Sequence, residues 1–217
     1  MNVLRLFGSQ TEVPMRGGVA GEGIVDELHG RFYEQTYRGN VFSIGSPATA
    51  LSATTITLSA TSTPILALWN PASSPINAVI LQVSLQVYIN TLTTPVGSGP
   101  FVYAVSVGNA ALTLGAGGLN RKTLAISGSI AQGFPGGVAL TGLTNNVVIR
   151  GGLNIANTTI ITHGTVTAVT SQSSFGGTHN FDGSLIIPPG GVLSILNTTS
   201  TTTCSVAGEL LWEEVPV

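Results

Sequence analysis

Charge is what this chain has least of. Between Gly39 and Asn120 there is no Lys, Arg, Asp or Glu, while nine of the sixteen charged side chains fall within the first 38 residues. The seven basic residues are scattered and the net charge is −2, so no cationic surface exists to neutralise phosphates and release counterions. Nucleic acid is therefore not an expected partner. The N-terminal segment sets Arg5, Arg16, Arg31 and Arg38 against Glu12, Glu22, Asp26, Glu27 and Glu34, unlike the basic arms that package RNA.

Long apolar runs are also missing. The longest patch, Ala78 to Ile89, is broken by Gln82, Ser84 and Gln86, well short of the roughly 18 to 20 apolar residues a spanning helix needs. No membrane association is expected. A single cysteine, Cys204, excludes an intrachain disulfide and the usual multi-thiolate zinc sites, and its strand-like neighbours mark it as a buried small apolar residue. Met1 to Phe7 carries Arg5 and no continuous apolar stretch, so a secretory leader is not expected and assembly in a cytoplasm is. Disorder is excluded from the other side, because disordered chains pair low hydrophobicity with high charge and here 43% is hydrophobic against 7% charged.

What is present is period-two patterning, rich in β-branched residues and punctuated by Gly and Pro. The clearest strand is Val79 to Ile89, with Leu81, Val83, Leu85, Val87 and Ile89 on one face and Gln82, Ser84, Gln86 and Tyr88 on the other. Because that second face carries amides and hydroxyls rather than charges, it suits contact with another protein surface. Further strands are expected at Thr54 to Ser59, Ile65 to Trp69, Phe101 to Val107, Thr123 to Ser127, Asn146 to Arg150, Thr158 to Thr162, Thr165 to Thr170, Ser184 to Ile187, Val192 to Asn197 and Cys204 to Trp212. Asn70-Pro71, Asp182-Gly183 and Pro188-Pro189-Gly190-Gly191 supply the turns, and the stretches Gly108 to Gly118 and Gln132 to Gly137 read as loops. This pattern predicts an all-β fold, a jelly-roll-like antiparallel β-sandwich over residues 41–217. Residues 1–40 form an extended N-terminal arm with one short helix around Ile24 to His29, weakened by its glycines and ordered against a neighbour.

Titratable groups are too sparse for an enzyme. Only Arg121, Lys122, Arg150, His163, His179 and Asp182 lie between Gly39 and Gly208, a poor set for acid-base catalysis. His163, His179 and Asp182 form a metal site if the fold joins them, whereas the plainer reading makes His179-Asn180 a polar turn closed by Asp182. There is no Gly-x-Ser-x-Gly elbow, and Glu209, Glu213 and Glu214 near the chain end read as solvated surface rather than as a glycosidase pair with Asp182. No catalytic residue, metal or cofactor is expected. Trp69 and Trp212 are expected in the core, and Phe175 and Phe181, flanking a Gly176 to His179 loop, form a possible sugar-stacking platform.

Three segments carry a resemblance: Gly30-Arg31-Phe32-Tyr33-Glu34 through Arg38-Gly39-Asn40-Val41-Phe42, then Gly183 to Gly191, then the ending Leu211-Trp212-Glu213-Glu214-Val215-Pro216. Together they resemble structural proteins of tailed bacteriophages, over both ends of the chain and in composition alone through the middle. The resemblance implies a β-sandwich virion protein: a homotrimeric decoration or cement protein on the outer head, bound over junctions of the major capsid protein. It brings no catalytic residues. Within that expectation Arg31, Phe32, Tyr33, Tyr37, Arg38 and Phe42 are the interface anchors of the arm, since interface energy concentrates on large aromatics and Arg. Two rivals stand beside it: a tail-fibre or spike head binding host carbohydrate through Gly108 to Leu119 and Ser173 to Phe181, and a capsid shell subunit that closes into particles.

Overall fold

The computed structural model describes residues 3–4, 13–14, 32–46, 51–53, 61–62, 64–89, 101–109, 112, 115–126, 128–136, 140–143, 148–153, 174–197 and 201–217. The chain divides into two compact units, Met1–Glu34 and Gln35–Val217. In the first, β1 (Val3–Leu4) pairs antiparallel with β2 (Val13–Pro14). A six-residue helix, α1 (Tyr33–Arg38), begins at the end of that unit. The helix expected around Ile24 to His29 lies outside the described residues, as do the strands expected at Thr54 to Ser59, Thr158 to Thr162 and Thr165 to Thr170.

The second unit is an antiparallel sandwich. Its strands in order are β3 (Val41–Gly45), β4 (Leu51–Ala53), β5 (Thr61–Ser62), β6 (Leu66–Trp69), β7 (Ile76–Ile89), β8 (Phe101–Ser106), β9 (Ala116–Gly117), β10 (Leu119–Asn120), β11 (Gln132–Pro135), β12 (Leu140–Thr141), β13 (Val148–Leu153), β14 (Ser174–Ile187), β15 (Val192–Asn197) and β16 (Thr201–Pro216). One sheet runs β10-β3-β16-β7-β14, with β4 also on β16; the other runs β13-β8-β15-β6-β11-β9; β5 and β12 pair separately. The all-β sandwich expected from the alternating pattern is what forms.

The inner faces meet in a core built from Ile80, Val83, Leu85, Val87, Val206, Leu210 and Trp212 on one side and Leu66, Leu68, Phe101, Tyr103, Leu193 and Ile195 on the other. The second sheet is buried on its outer face as well. There Ala67, Trp69, Val102, Ala104, Phe134, Val192 and Leu196 lie beneath Leu112, Leu140 and Leu143. This is why Leu66–Trp69 reads as an uninterrupted apolar run: both faces are covered, so alternation is not required. Both tryptophans are buried, as expected.

In β7 the alternation changes phase. Gln82 lies opposite Leu211 and Ile80 opposite Trp212, so Leu81 is one residue too many for β16. Ile76, Ala78 and Ile80 point inward before this bulge and Val83, Leu85 and Val87 after it, with the adjacent Ile80 and Leu81 both buried. The uniform alternation expected from Val79 onward therefore holds only beyond Leu81. Across the same point β14 carries an excursion, with Asn180 opposite Gln82 and Leu185 opposite Ile80. Asp182 (φ 53) and Gly183 (φ 82) occupy successive left-handed positions in it, a geometry that Asp-Gly accepts at small cost. The turn expected here is thus absorbed inside a strand, and the Gly176 to His179 segment expected as a loop is part of β14.

The strand expected at Thr123 to Ser127 is a tight turn. Asn120 Oδ1 accepts from the amides of Lys122 (3.0 Å) and Thr123 (3.3 Å), and the Leu124 amide donates to the Asn120 carbonyl. This local bonding outcompetes a ladder. At the opposite corner the Pro-Pro-Gly-Gly reversal is fixed by two buried asparagines: Asn70 Nδ2 donates to the Ile76 (2.7 Å) and Ile187 (3.0 Å) carbonyls, and Asn109 Nδ2 to the Gly190 carbonyl (3.2 Å).

Glu214 also departs from expectation. It is 8% exposed, and its Oε1 accepts from Ser129 Oγ (2.8 Å), the amides of Ile130 and Ala131 (3.0 Å each) and Trp212 Nε1 (3.4 Å). A carboxylate replacing water with four donors can stay buried and so pins residues 129–131 to β16. Glu214→Ala should cost on the order of 3 kcal/mol in urea unfolding, because several buried donors lose their acceptor. A loss below about 0.5 kcal/mol, typical of a surface change, would contradict this role.

Candidate functional site

The expected anchors do not form one group. Arg31 lies outside the described residues. Phe32 is half-buried, while Tyr33 (45%), Tyr37 (61%) and Arg38 are exposed on or beside α1. Phe42 is in β3 with 4% exposure and stacks on Trp212 at 6.2 Å, so its side chain belongs to the sandwich core. Lys122 Nζ stands 4.8 Å above the Tyr37 ring, bringing the 121–126 turn to the helix. The same turn exposes Leu124 (69%) and Ile126 (70%). Sequence pattern missed these two because they were counted as strand residues.

Two surfaces have the geometry of sites. The first is the outer face of the sheet containing β7, where the register sets three rows across β14, β7 and β16: Asn180-Gln82-Leu211, Thr178-Ser84-Glu209 and Gly176-Gln86-Ala207. Gln82 Nε2 donates to Asn180 Oδ1 (2.8 Å), and the Ser84 and Thr178 hydroxyls bond at 3.1 Å. Gly176 and Ala207 leave a shallow trough of about 540 Å³ between these rows. Its single charged lining residue, Glu209, is neutralised by Arg121 at 2.8 Å. Across these three rows the face is mostly polar with one neutralised charge, as the spacing of Gln82, Ser84 and Gln86 suggests, and the next row, Ile186-Val79-Glu213, adds a carboxyl whose pKa burial raises.

The second is a cavity of about 560 Å³ between the sheets, where the edge strand β14 faces β8 and β13. Its walls include Val105, Leu185, Ile187 and Val192, and exposed Val107 and Ile186 also line it. His179 shares a row with the inward-facing Val83 and Leu210. Its ring stacks on Phe181 at 4.3 Å and 9°, and Tyr103 meets both edge-on at 5.3 and 5.0 Å. The Phe181 ring is engaged by these neighbours, and Gly176 to His179 is strand, so the exposed loop platform expected for sugar stacking is not formed. Phe175 is in β14, and its side chain lies outside the described residues.

Tyr103 is 1% exposed, and its hydroxyl has no hydrogen-bond partner among the described residues. Burial pushes its pKa up to about 12, so it remains a protonated donor across the physiological range. His163 lies outside the described residues, and no cluster of three metal-ligating side chains occurs among the described ones. No described helix is long and apolar enough to cross a membrane.

Comparison with known protein families, with characterised proteins and with solved structures finds no match to this chain.

Because the Tyr103 hydroxyl contributes a buried donor with nothing to receive it, Tyr103→Phe should leave the thermal midpoint unchanged or raise it. A fall of several degrees would mean that the hydroxyl has a stabilising partner.

Proposed function

We propose that this chain is a non-enzymatic structural protein of a virus particle: a jelly-roll protomer that decorates a tailed-phage head as a homotrimer, bound over junctions of the major capsid protein. The observation that carries the reading is the patch of low charge on the outer face of β14, β7 and β16, the rows through Gln82, Ser84 and Gln86, where Glu209 is neutralised by Arg121. Burying charge against a protein neighbour is costly, and interface cores are depleted of charged residues. Here the Gln82-Asn180 and Ser84-Thr178 pairs satisfy polar groups within the face, which can then be covered with little desolvation penalty.

Strand order supports the same reading. Taking β3, β6, β7, β8, β13, β14, β15 and β16 as strands one to eight, the sheets run 1-8-3-6 and 5-4-7-2. That is the order of a double Greek-key jelly roll, an architecture common among viral capsid proteins. Fold alone does not assign function, so the proposal rests on the face and on the resemblance at the two ends of the chain. Tyr33 and Tyr37, exposed on α1, and Leu124 and Ile126 beside it provide further large side chains for contact with a shell.

Gln82→Glu is close to isosteric and adds one charge to the centre of the face. Sedimentation velocity should show the wild-type chain at three times its 22.1 kDa mass, with the Gln82→Glu variant folded but shifted toward monomer and binding particles at least tenfold more weakly. A wild-type monomer that does not bind particles, or a variant that assembles and binds unchanged, overturns the reading. Tyr37→Ala, which removes an exposed ring, should reduce particle binding and leave the unfolding midpoint within a few degrees. Equal loss of both would place Tyr37 in the fold rather than in the contact.

A further inference from the structure

The cavity between β14 and β8 differs in chemistry from the outer face: its lining is mostly apolar where that of the trough is mostly polar or small. Its size falls within the roughly 300–1,000 Å³ range of small-molecule sites, and its walls are mostly aliphatic and aromatic with few polar groups. Among the described residues no Lys, Arg, Asp or Glu lines it, so a charged ligand would find no opposite charge there to offset its desolvation. Tyr103 is the informative residue. It lines the cavity, its side chain is buried, and its hydroxyl has no partner among the described residues; of the four buried side-chain atoms so described, with those of Trp69, Asn70 and Ser194, it alone belongs to a residue lining this cavity. A lone water there would need about two to four polar partners, which a wall of this kind supplies poorly.

The surrounding architecture keeps the cavity open. Gly151 on β13, which lines the cavity, contributes no side chain to it. The excursion at Asp182-Gly183 interrupts pairing after Asn180, so Phe181 lies inside it, a use of bulges that redirects side chains. His179 and Phe181 then stand as a stacked pair with Tyr103 at their edge.

We propose that this cavity binds a small, uncharged, largely apolar molecule containing a ring and one oxygen acceptor, with the Tyr103 hydroxyl donating to that oxygen and His179 and Phe181 packing against the ring. The site is independent of the assembly reading: a monomeric chain would still possess it, and a trimer would not require it.

The test uses the full-length protein and two probes of nearly equal shape, acetophenone, which has a carbonyl acceptor, and ethylbenzene, which has none. Titration is followed by NMR at the side chains of Tyr103 and His179. Both probes should saturate with shifts at these residues, and acetophenone should be preferred. Tyr103→Phe should lower the preference for acetophenone over ethylbenzene about three- to tenfold, the value of one neutral hydrogen bond. Gly151→Leu provides the second variant: a Cβ at Gly151 would lie 3.7 Å from the Tyr103 ring, in ordinary contact, so a larger side chain there intrudes on the cavity. It should abolish binding of both probes while the chain remains folded. Absence of saturable shifts at Tyr103 and His179, an unchanged preference in Tyr103→Phe, or undiminished binding in folded Gly151→Leu overturns the proposal.

Discussion

Leu81 is the point on which the rest of the sandwich depends. The central strand β7 pairs with β16 on one side and β14 on the other, and Leu81 breaks both ladders at the same place. A single surplus residue reverses which side chains face inward, so both halves of a 14-residue strand bury their apolar sets despite opposite parity. The consequences spread laterally. On β16 the alternation runs unbroken through Val206, Leu210, Trp212 and Glu214, and the surplus residue keeps Ile80 and Ala78 opposite the last two, where Trp212 fills the core beside Phe42 and Glu214 gathers the 129–131 segment. On β14 it allows the left-handed pair Asp182-Gly183, beside which Phe181 and His179 line the cavity.

Much of this was legible in the sequence because it depends on local pattern. Gln82, Ser84 and Gln86 mark a polar face by spacing alone, and Leu66–Trp69 and Val192–Asn197 stand out as apolar runs between turn residues. The bulge was not legible, because Ile80 and Leu81 are both apolar and either can continue the alternation. Asp182-Gly183 gave a correct signal for left-handed backbone, but pattern cannot tell a turn between strands from an excursion within one. Thr123 to Ser127 has strand-like composition, yet Asn120 bonds the following amides and closes a turn. Glu214 defeated the reading most completely: three of its four donors, Ser129, Ile130 and Ala131, lie 83 to 85 positions away in sequence, beyond the reach of any local pattern.

The scarcity of charge has a spatial logic. In the sandwich, Glu214 is buried and bonded, Arg121 and Glu209 neutralise each other at the surface, and the three rows from Asn180-Gln82-Leu211 to Gly176-Gln86-Ala207 are otherwise amides, hydroxyls, small residues and one leucine. The exposed pair contributes little to stability, since such pairs are typically worth under about 1 kcal/mol. Its effect is to cancel the charge bordering the trough. A solvated monomer gains nothing from so neutral a face, and low charge favours self-association. A protein covered by copies of itself or by a shell gains a surface that can be dehydrated cheaply. The cavity is chemically separate from that face, and the ligand proposed for it would sit between the sheets rather than on the surface proposed for assembly.

The most direct measurement of the proposed assembly role is the copy number of this chain in purified particles of its proposed parent phage, by quantitative mass spectrometry against the major shell subunit. A head decoration protein should be present in hundreds of copies per particle. A count of a few to a few dozen would move it to the tail, and its absence from the particle would contradict the assembly account altogether.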